Sequence, residues 1–459
     1  MNAIPASVEV SAEPDRLRRD LFRLALPVLG EQLLAFCVGF YDVYLAGLLG
    51  ETETSAIGLG AYVSWLASLI FSLVGTGTVA IVARSWGAGQ FDDARRIAAR
   101  SLTLTVVFAM GIFLILQGLA SLFPVLLRMD GAQRDIAVEF LRLDACGQFF
   151  AGWTLIGAAA LRGSGDMRSP LLVLTVTNIV NIIVSTSCVF GWGPLPAMGV
   201  TGIVTGTVTA HICGAAVMTV MLFSGVSRIQ VRLSEFQFHR ETTARILRIG
   251  GPAALGGVAT FSGHFLFLMV IANLSPLGFD GATFAAHVVG VRVESLSYLP
   301  VEAFGIAAAT LVGQSLGAGQ VARARRAAHE ALLQCVGYAA LMMVLFFTFA
   351  PTIYARLQSS PDVAQIGVPA FRLMALYQIP NAVLIVYLYA LRGAGDTRFP
   401  MFCSLVGNLL VRVSVGYLCG VVLNGGLVGA WIGMGADNIL RAILAAWRYR
   451  SGQWIKVRV

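Results

Sequence analysis

The chain has 459 residues, of which 57% are hydrophobic and only 12% are charged, and its mean hydropathy is +0.79. A soluble globular protein carries about 25% charged residues, so this chain has too little polar surface to be wetted as a water-soluble body of its size. The composition argues strongly against a cytosolic enzyme or a nucleic-acid-binding protein, and indicates a protein that lies in lipid. The net charge is +8, and the basic residues are almost all arginines in short gaps between apolar stretches. Arginines placed in this way determine how a chain is oriented in a membrane.

Neither the cysteines nor the N-terminus points to a cofactor or to secretion. The seven cysteines lie inside apolar stretches and form no CxxC pair or metal-binding spacing with histidine, so we expect no cofactor. Four acidic residues in the first 20 are unlike a cleavable signal peptide. We interpret residues 1–20 as a cytosolic leader.

Twelve stretches are long and apolar enough to cross a bilayer as helices, which takes about 20 residues each. Strict alternation of apolar and polar residues is lacking, so helices are favoured over a membrane barrel. In chain order the predicted spans are 21–49, 54–84, 97–127, 134–161, 170–191, 197–224, 250–275, 283–315, 327–354, 364–391, 400–423 and 426–448. The predicted fold class is an all-α membrane protein.

The positive residues predict the orientation of the chain. With the N-terminus inside, 25 Lys and Arg residues lie on the cytosolic side and five lie outside, while Arg292 and Arg412 lie within spans. Lys and Arg accumulate in cytosolic loops. We therefore expect a multi-pass protein of the inner (cytoplasmic) membrane with both termini in the cytosol.

Two sequence motifs occur twice at a constant offset. The run Gly-Ala-Gly-Gln at 87–90 recurs at 317–320, and Leu-Arg-Gly-x-Gly-Asp at 161–166 recurs at 391–396, each 230 residues later. Chance does not hold one offset across two motifs, so the spans form two lobes of six helices. Six is even, so the lobes enter the membrane from the same face, as parallel repeats related by a pseudo-two-fold axis along the membrane normal. The predicted organisation is a leader at 1–20, an N-terminal lobe at 21–224, a cytosolic linker at 225–249, a C-terminal lobe at 250–448 and a cytosolic tail at 449–459.

The glycines of these motifs favour a structural interpretation. Glycine supplies tight turns and close backbone approach, and the aspartate of the second motif can cap the next helix or pair with an arginine. The Gly-x-Gly pair lacks the third glycine and the preceding strand of a nucleotide-binding loop. Glycines four residues apart, at 202 and 206 and at 429 and 433, are typical of tightly packed membrane helices.

Taken together, the motifs resemble those of the multidrug and toxic compound extrusion (MATE) family, in its bacterial DinF-like branch. The resemblance rests on Pro27 followed by Asp42, on Val-Gly-Gln-x-x-Gly-Ala-Gly at 312–319, and on the doubled Leu-Arg-Gly-x-Gly-Asp, and it covers about 24–447. It implies secondary active efflux of toxic organic compounds, often cationic or amphipathic, in antiport with H⁺ or Na⁺ by alternating access. It implies neither an enzyme nor a required protein partner.

Asp42 is the sharpest candidate residue, because ionisable groups inside a membrane are costly and indicate function. A low-dielectric surrounding disfavours the charged carboxylate, so Asp42 can exchange a proton or pair with Na⁺ through oxygen ligands. Pro27 precedes it by 15 residues and can bend the helix. The resemblance implies that Asp42 is the cation-coupling residue; a hydrogen-bonded structural acid is the alternative.

The resemblance adds Asn181, Ser185 and Thr207 to this cation-coupling site. Ser185 stands where many relatives carry a second acid, so the site has one carboxylate. This favours H⁺ coupling, although Asp42, Asn181 and Thr207 can still offer oxygen atoms to Na⁺. For each of the neutral residues, a plain helix–helix hydrogen bond is the alternative interpretation.

The C-terminal lobe departs further from the family pattern. Some relatives carry a Glu in the seventh span and an Asp in the tenth as a cation site, but here the seventh span, 250–275, offers only His264. The eighth span, 283–315, instead holds Arg292, Glu294 and Glu302, for which a structural ion pair with Arg412 is the alternative to a functional role. Weaker candidates are Glu31, Asp144 and Asp437.

A drug cavity needs apolar and aromatic walls with few polar anchors. The candidates are Phe36, Tyr41, Tyr62, Trp65, Met269, Glu294, Tyr298 and Glu302. An alternative function is a lipid-linked oligosaccharide flippase of the same broad superfamily, which would need a larger and more basic cavity.

Overall fold

The computed structural model describes residues 14–126, 129, 131–192, 196–275, 278–358, 360–457 and 459. Most of the predicted leader, residues 1–13, therefore lies outside the described residues. Every regular element in the described ranges is helical.

Fourteen helices make up the described chain. They are α1 (Pro14–Leu49), α2 (Glu51–Gly87), α3 (Phe91–Leu119), α4 (Leu122–Leu126), α5 (Gly131–Gly163), α6 (Arg168–Phe190), α7 (Val200–Ser224), α8 (Arg240–Ala272), α9 (Ala282–Gly317), α10 (Val321–Leu357), α11 (Pro361–Leu376), α12 (Gln378–Gly393), α13 (Arg398–Val422) and α14 (Gly426–Arg450). Within α13, the segments Leu405–Val411 and Leu418–Val422 have the wider turns of a π-helix. Single 3₁₀ turns occur at Leu233–Glu235, Gly278–Asp280 and Gln453–Lys456.

The predicted fold class, an all-α membrane protein, is confirmed. Ten of the described helices are long and apolar enough to cross a membrane, and the number is eleven if α11 and α12 count as one span. Each predicted span overlaps one long helix or, in one case, this bent pair. α5 is 33 residues long, but its first half carries five charged residues, which lowers its hydropathy.

The bend of 50° between α11 and α12 has a local cause. Pro380 lacks an N–H, and its ring would clash with the carbonyl of Leu376 in a continuous helix. α11 ends at Leu376 and α12 begins at Gln378. The predicted span 364–391 is therefore broken at Tyr377.

The described chain divides into two compact units. Unit 1 comprises the described residues up to Leu26 together with Ala259–Ala394 and Phe402–Val457, and unit 2 comprises Pro27–Val258, Gly395–Met401 and Val459. Unit 2 has a core that includes Ile81, Leu102 and Ile156, and unit 1 has one that includes Phe267, Phe371 and Trp431. The chain passes from one unit to the other inside the helices α1, α8 and α13, after Ala394 and again near the C-terminus.

The repeated motifs have matching backbones. Gly89 and Gly319 have φ of 74° and 72°, and Gly165 and Gly395 have φ of 84° and 88°. These left-handed values favour glycine, which confirms that these four motif glycines make turns.

The aspartate of the first Leu-Arg-Gly-x-Gly-Asp copy caps the following helix. Asp166 Oδ1 accepts hydrogen bonds from the backbone N–H groups of Arg168 at 3.2 Å and Ser169 at 3.1 Å. The Ser169 hydroxyl donates to Asp166 Oδ2 at 2.7 Å. A carboxylate at this place satisfies N–H groups that the first turn of α6 leaves unpaired.

The paired glycines allow close helix packing, as the sequence indicates. A Cβ at Gly206 of α7 would lie 2.6 Å from Ser185 Cα of α6. A Cβ at Gly433 of α14 would lie 2.6 Å from Gly416 Cα of α13. Larger side chains at either position would force these helices apart.

The segment between α7 and α8 is packed onto unit 2. Ile229 and Val231 are buried in its core. The Phe236 ring stacks against Trp153, with ring centroids 6.0 Å apart, and against Phe223, at 5.8 Å.

Candidate functional site

Asp42 lies in the C-terminal half of α1, with its side chain half-buried. Its Oδ1 atom is shielded from solvent and has no hydrogen-bond partner. Asp42 also takes no part in the ion pairs found among the described residues. A buried acceptor without a hydrogen-bond partner is costly, so a proton or a cation bound at this carboxylate would supply the missing partner.

The helix around Asp42 packs against α6 and α7. The hydroxyl groups of Tyr41 and Thr186 are hydrogen-bonded at 2.6 Å. One turn after Asp42, Leu45 is buried in a cluster that includes Ile203 and Val204 of α7. The C-terminal half of α1 is thus joined to the two helices that carry the other predicted coupling residues.

Three of those residues form one hydrogen-bonded chain. The Asn181 amide Nδ2 donates to Thr207 Oγ1 at 3.2 Å, and Thr207 Oγ1 donates to the Ile203 carbonyl at 3.1 Å. Ser185 Oγ donates to the same carbonyl at 3.4 Å. Asn181 Oδ1 is buried and, like Asp42 Oδ1, has no partner. The structure therefore brings Asn181, Ser185 and Thr207 together, while Asp42 lies on the adjoining helix and makes no hydrogen bond to any of them.

Pro27 lies inside the continuous helix α1. It cannot donate to the carbonyl of Arg23, so the helix lacks one hydrogen bond there. One turn later, Glu31 is buried and forms an ion pair with Arg162 of the first Leu-Arg-Gly-x-Gly-Asp motif. Glu31, a weaker candidate from sequence, therefore has a partner that accounts for its burial.

In unit 1, three polar side chains of α9 recur every four residues: Glu294, Tyr298 and Glu302. All three are half-buried, and neither glutamate forms an ion pair within 4 Å among the described residues. Arg292 is exposed. The alternative of a structural ion pair with Arg412 is not found among the described residues, where the carboxylate that pairs with Arg412 is Asp437.

Arg412 belongs to a set that we call the charge cluster: the buried Arg412, Asp437 and Arg441, and the exposed His264. Arg412 donates to Asp437 Oδ2 from Nε at 3.0 Å and from Nη2 at 2.7 Å. Arg441 donates from Nε to Oδ1 at 2.5 Å and from Nη2 to Oδ2 at 2.6 Å. The His264 Nδ1 atom lies 3.2 Å from Arg412 Nη1.

The sequence interpretation missed this cluster because it counted Arg441 as a cytosolic charge at the end of the last span. Asp437 and Arg441 are four residues apart on α14, a spacing at which helical side chains of opposite charge meet. That spacing inside an apolar span was the available signal.

Asp144, another weaker candidate, is held by neutral donors in unit 2. Its Oδ2 atom accepts from Ser64 Oγ at 2.6 Å and from Gln148 Nε2 at 2.8 Å. A buried carboxylate with two donors is satisfied locally. No predicted coupling residue takes part in this network.

The family model described as MatE matches residues 27–186 and 251–418. The chain belongs to the MatE family. This confirms the resemblance to MATE transporters, and the family is one of membrane transporters.

Relatives match this MatE chain along nearly its whole length. The "Probable multidrug resistance protein NorM" of Thermotoga maritima is 29% identical, over 97% of this chain and 94% of that protein. A MOP superfamily transporter of Pyrococcus furiosus, whose binding pocket of reverse polarity is said to suggest a different function, has a TM-score of 0.88 at 20% identity, covering 98% of this chain and all of the other. A MATE crystal structure in the bent conformation has a TM-score of 0.87 at 20% identity, covering 96% and 98%. At these identities the two structures show the fold alone.

The predicted cavity residues of this MatE chain divide between the units. Phe36, Tyr41, Tyr62 and Trp65 belong to unit 2, and Met269, Glu294, Tyr298 and Glu302 belong to unit 1. Tyr62, Trp65 and Met269 are exposed. Met269 lines a surface depression of about 640 Å³ at the end of α8, together with Asn273 and Phe279.

Within the described ranges of this MatE chain, no group of three His, Cys, Asp or Glu side chains is placed to hold a metal ion. The residues predicted from sequence for Na⁺ are Asp42, Asn181 and Thr207, which carry oxygen atoms of the type that hard cations accept.

Proposed function

We propose that this chain exports small organic compounds, cationic or amphipathic, from the cell in exchange for an inward flow of H⁺ or Na⁺. The family membership and the relative named as a multidrug resistance protein support efflux of this kind. The protein would act in the bacterial inner membrane with both termini in the cytosol.

The observation that carries the proposal is the buried, unpartnered Oδ1 of Asp42. As a carboxylate, Asp42 offers one negative charge to a coupling ion, and it lies on a helix that lacks one backbone hydrogen bond at Pro27. Binding of a proton or Na⁺ removes the uncompensated charge and changes which conformation of α1 is favoured, because a ligand shifts an equilibrium only by its differential affinity for the two states.

The neutral partners tune this site. Asn181 keeps a buried, unpaired Oδ1 while its amide is held by Thr207. With Ser185 where a second acid would stand, the site carries one carboxylate, and one proton neutralises it. We therefore favour H⁺ as the coupling ion, with Na⁺ at Asp42, Asn181 and Thr207 as the alternative.

The duplication of the sequence supports alternating access as the mode of transport. In this proposal the lobes are 21–224 and 250–448, with the linker 225–249, the leader 1–20 and the tail 449–459, and the protein alternates between states that expose the cargo to opposite sides of the membrane. The cargo candidates are the aromatic and acidic residues named above. The coupling ion and the cargo need not share a residue, since coupling requires only that each favours a different state.

The test is dye transport by the full chain in proteoliposomes. Uptake of rhodamine 6G is followed by its self-quenching, under an imposed pH gradient without Na⁺ and then under a Na⁺ gradient without a pH gradient. Asp42→Asn is expected to abolish gradient-driven uptake, and Asp42→Glu to retain part of it. Asp93→Asn, an exposed acid of α3, is the matched control and keeps wild-type uptake. Full uptake by Asp42→Asn would remove the proposed coupling site.

A further inference from the structure

The charge cluster carries more positive than negative charge. Two guanidinium groups share one carboxylate, and the exposed fractions are 5% for Arg412, 0% for Asp437 and 7% for Arg441. Within the described chain, no second carboxylate pairs with either arginine. Glu294 also interacts electrostatically with Arg412, but it lies beyond ion-pair distance. A surplus of one buried positive charge inside membrane helices is costly and indicates a function.

The surrounding backbone is shaped to house this cluster. Arg412 follows the π-helical segment Leu405–Val411 directly and lies six residues before a second one; such wide turns are rare and recur at functional sites. A Cβ at Gly407 would lie 2.6 Å from Arg441 Cγ, and one at Gly433 would lie 2.7 Å from the Arg412 carbonyl oxygen. Gly407 therefore leaves space for the Arg441 side chain, and Gly433 allows α14 to approach the backbone at Arg412.

The cluster is not a requirement of the repeated fold. At the repeat offsets of 230 and 227 residues, the counterparts in the first half of the chain are Ile182 for Arg412, Ala210 for Asp437 and Gly214 for Arg441. The first half forms the same helices without any of these charges. The cluster therefore serves something specific to the second half.

Arg412 retains donors that the cluster does not use. A guanidinium has five N–H donors, and those of Arg412 meet Asp437 twice and His264 once. Since His264 turns Nδ1 toward this cation, we assign its proton to Nε2, which leaves that N–H as a further donor. The His264 side chain is exposed, so the cluster reaches the surface of unit 1 through this ring.

We propose that Arg412 and His264 form a subsite for an anionic group (a carboxylate, sulfonate or phosphate) on an amphipathic molecule. The ligand oxygen accepts the His264 Nε2–H and an unused Arg412 N–H, and its charge balances the surplus of the cluster. The inference rests on the proposed function and deepens it: the cargo includes zwitterions and organic anions as well as cations.

Equilibrium binding to the purified full chain in phosphatidylcholine nanodiscs tests this subsite. The probes are 1-pyrenebutyrate and 1-pyrenebutylamine, which share an apolar body and differ in charge, and binding is followed by fluorescence. Arg412→Gln leaves Asp437 and Arg441 as a neutral pair, so the fold is retained. We expect this variant to bind pyrenebutyrate at least about tenfold more weakly, the usual loss for a charged hydrogen bond, with no loss for the amine.

Two further variants keep the outcome decisive. His264→Leu removes the outer donor without changing the charge of the cluster, and it is expected to weaken pyrenebutyrate binding several-fold. Arg372→Gln, an exposed arginine of α11 in the same unit, is expected to change nothing. The subsite is refuted if wild type does not bind pyrenebutyrate, if both probes weaken equally in Arg412→Gln, or if Arg412→Gln is unstable and His264→Leu binds normally.

Competition separates the sources of the anion. Displacement of pyrenebutyrate by dioctanoyl phosphatidylglycerol, but not by the phosphatidylcholine analogue, assigns a lipid phosphate to the subsite. Absence of displacement assigns a small organic anion. Both binding measurements run without a gradient, so a failure of coupled transport is distinguishable from a failure of this subsite.

Discussion

Replacing Asp437 with asparagine should unfold the second half of the protein far more readily than replacing either arginine beside it. The carboxylate lies between Arg412 and Arg441 and accepts four N–H···O contacts of 2.5–3.0 Å, three of them on Oδ2. Asparagine keeps one acceptor and leaves two guanidiniums with no negative charge between them. Removing one partner of a buried pair costs about 3–5 kcal/mol.

The same arithmetic predicts a smaller effect for Arg412→Gln. That variant loses charged hydrogen bonds, worth about 1.5–3 kcal/mol, but leaves a neutral pair. Combining Asp437→Asn with Arg412→Gln lowers the net charge of the charge cluster from two to one. This double variant should therefore be more stable than Asp437→Asn alone. Thermal unfolding of the full chain in detergent is monitored by size-exclusion chromatography. Wild type, the two single variants and the double variant together form a double-mutant cycle. An Asp437→Asn variant as stable as Arg412→Gln, or strictly additive effects, would show that charge balance does not govern this cluster.

Three further predictions concern unit 2. Gly206→Val should destabilise the protein by about 1–3 kcal/mol, because its side chain would meet Ser185 Cα, and the midpoint of thermal unfolding measures this. Thr207→Val should leave the Asn181 amide without its partner and raise the H⁺ or Na⁺ concentration needed for half-maximal dye transport about tenfold, the effect of losing one hydrogen bond at a binding site. Asp166→Ala should lower stability by about 0.5–2 kcal/mol by uncapping α6, while the half-maximal ion concentration stays at the wild-type value.

Controls for these variants come from the same chain. Gly251→Ala places a Cβ where no atom lies within 4 Å, so it should not reproduce the effect of Gly206→Val. Thr103→Val removes a hydroxyl that bonds only within its own helix and should not change ion dependence. If Asp166→Ala altered the half-maximal ion concentration and left stability intact, the capping role would be contradicted.

The helices and their repetition could be predicted because both depend on local sequence patterns. The length of an apolar stretch predicts a membrane-spanning helix, and a glycine that needs a left-handed φ occurs at the same place in each motif copy. Even the break at Tyr377 has a sequence cause in Pro380, which hydropathy averaging smooths over.

The side-chain partners could not be predicted in the same way. The bonds from Ser64 to Asp144 and from Arg162 to Glu31 join residues 80 and 131 positions apart, and only the packed helices decide them. Arg441 was misplaced because the count of positive charges assigned it to the cytosolic end of the last span, whereas in the structure it is buried and pairs with Asp437, one turn earlier. The unpartnered oxygen of Asp42 is likewise a property of its surroundings and leaves no mark in the sequence.

The segment between α7 and α8 bears on how the gene can be divided. Phe236 sits between two aromatic rings, and Glu235 accepts a hydrogen bond from Arg95 at 2.7 Å. If the polypeptide were cut early in this segment, the first fragment would lose Phe236 and its aromatic contacts. A split-protein reconstitution should therefore break the chain after Phe236, so that the first fragment keeps the residues that cover its own core.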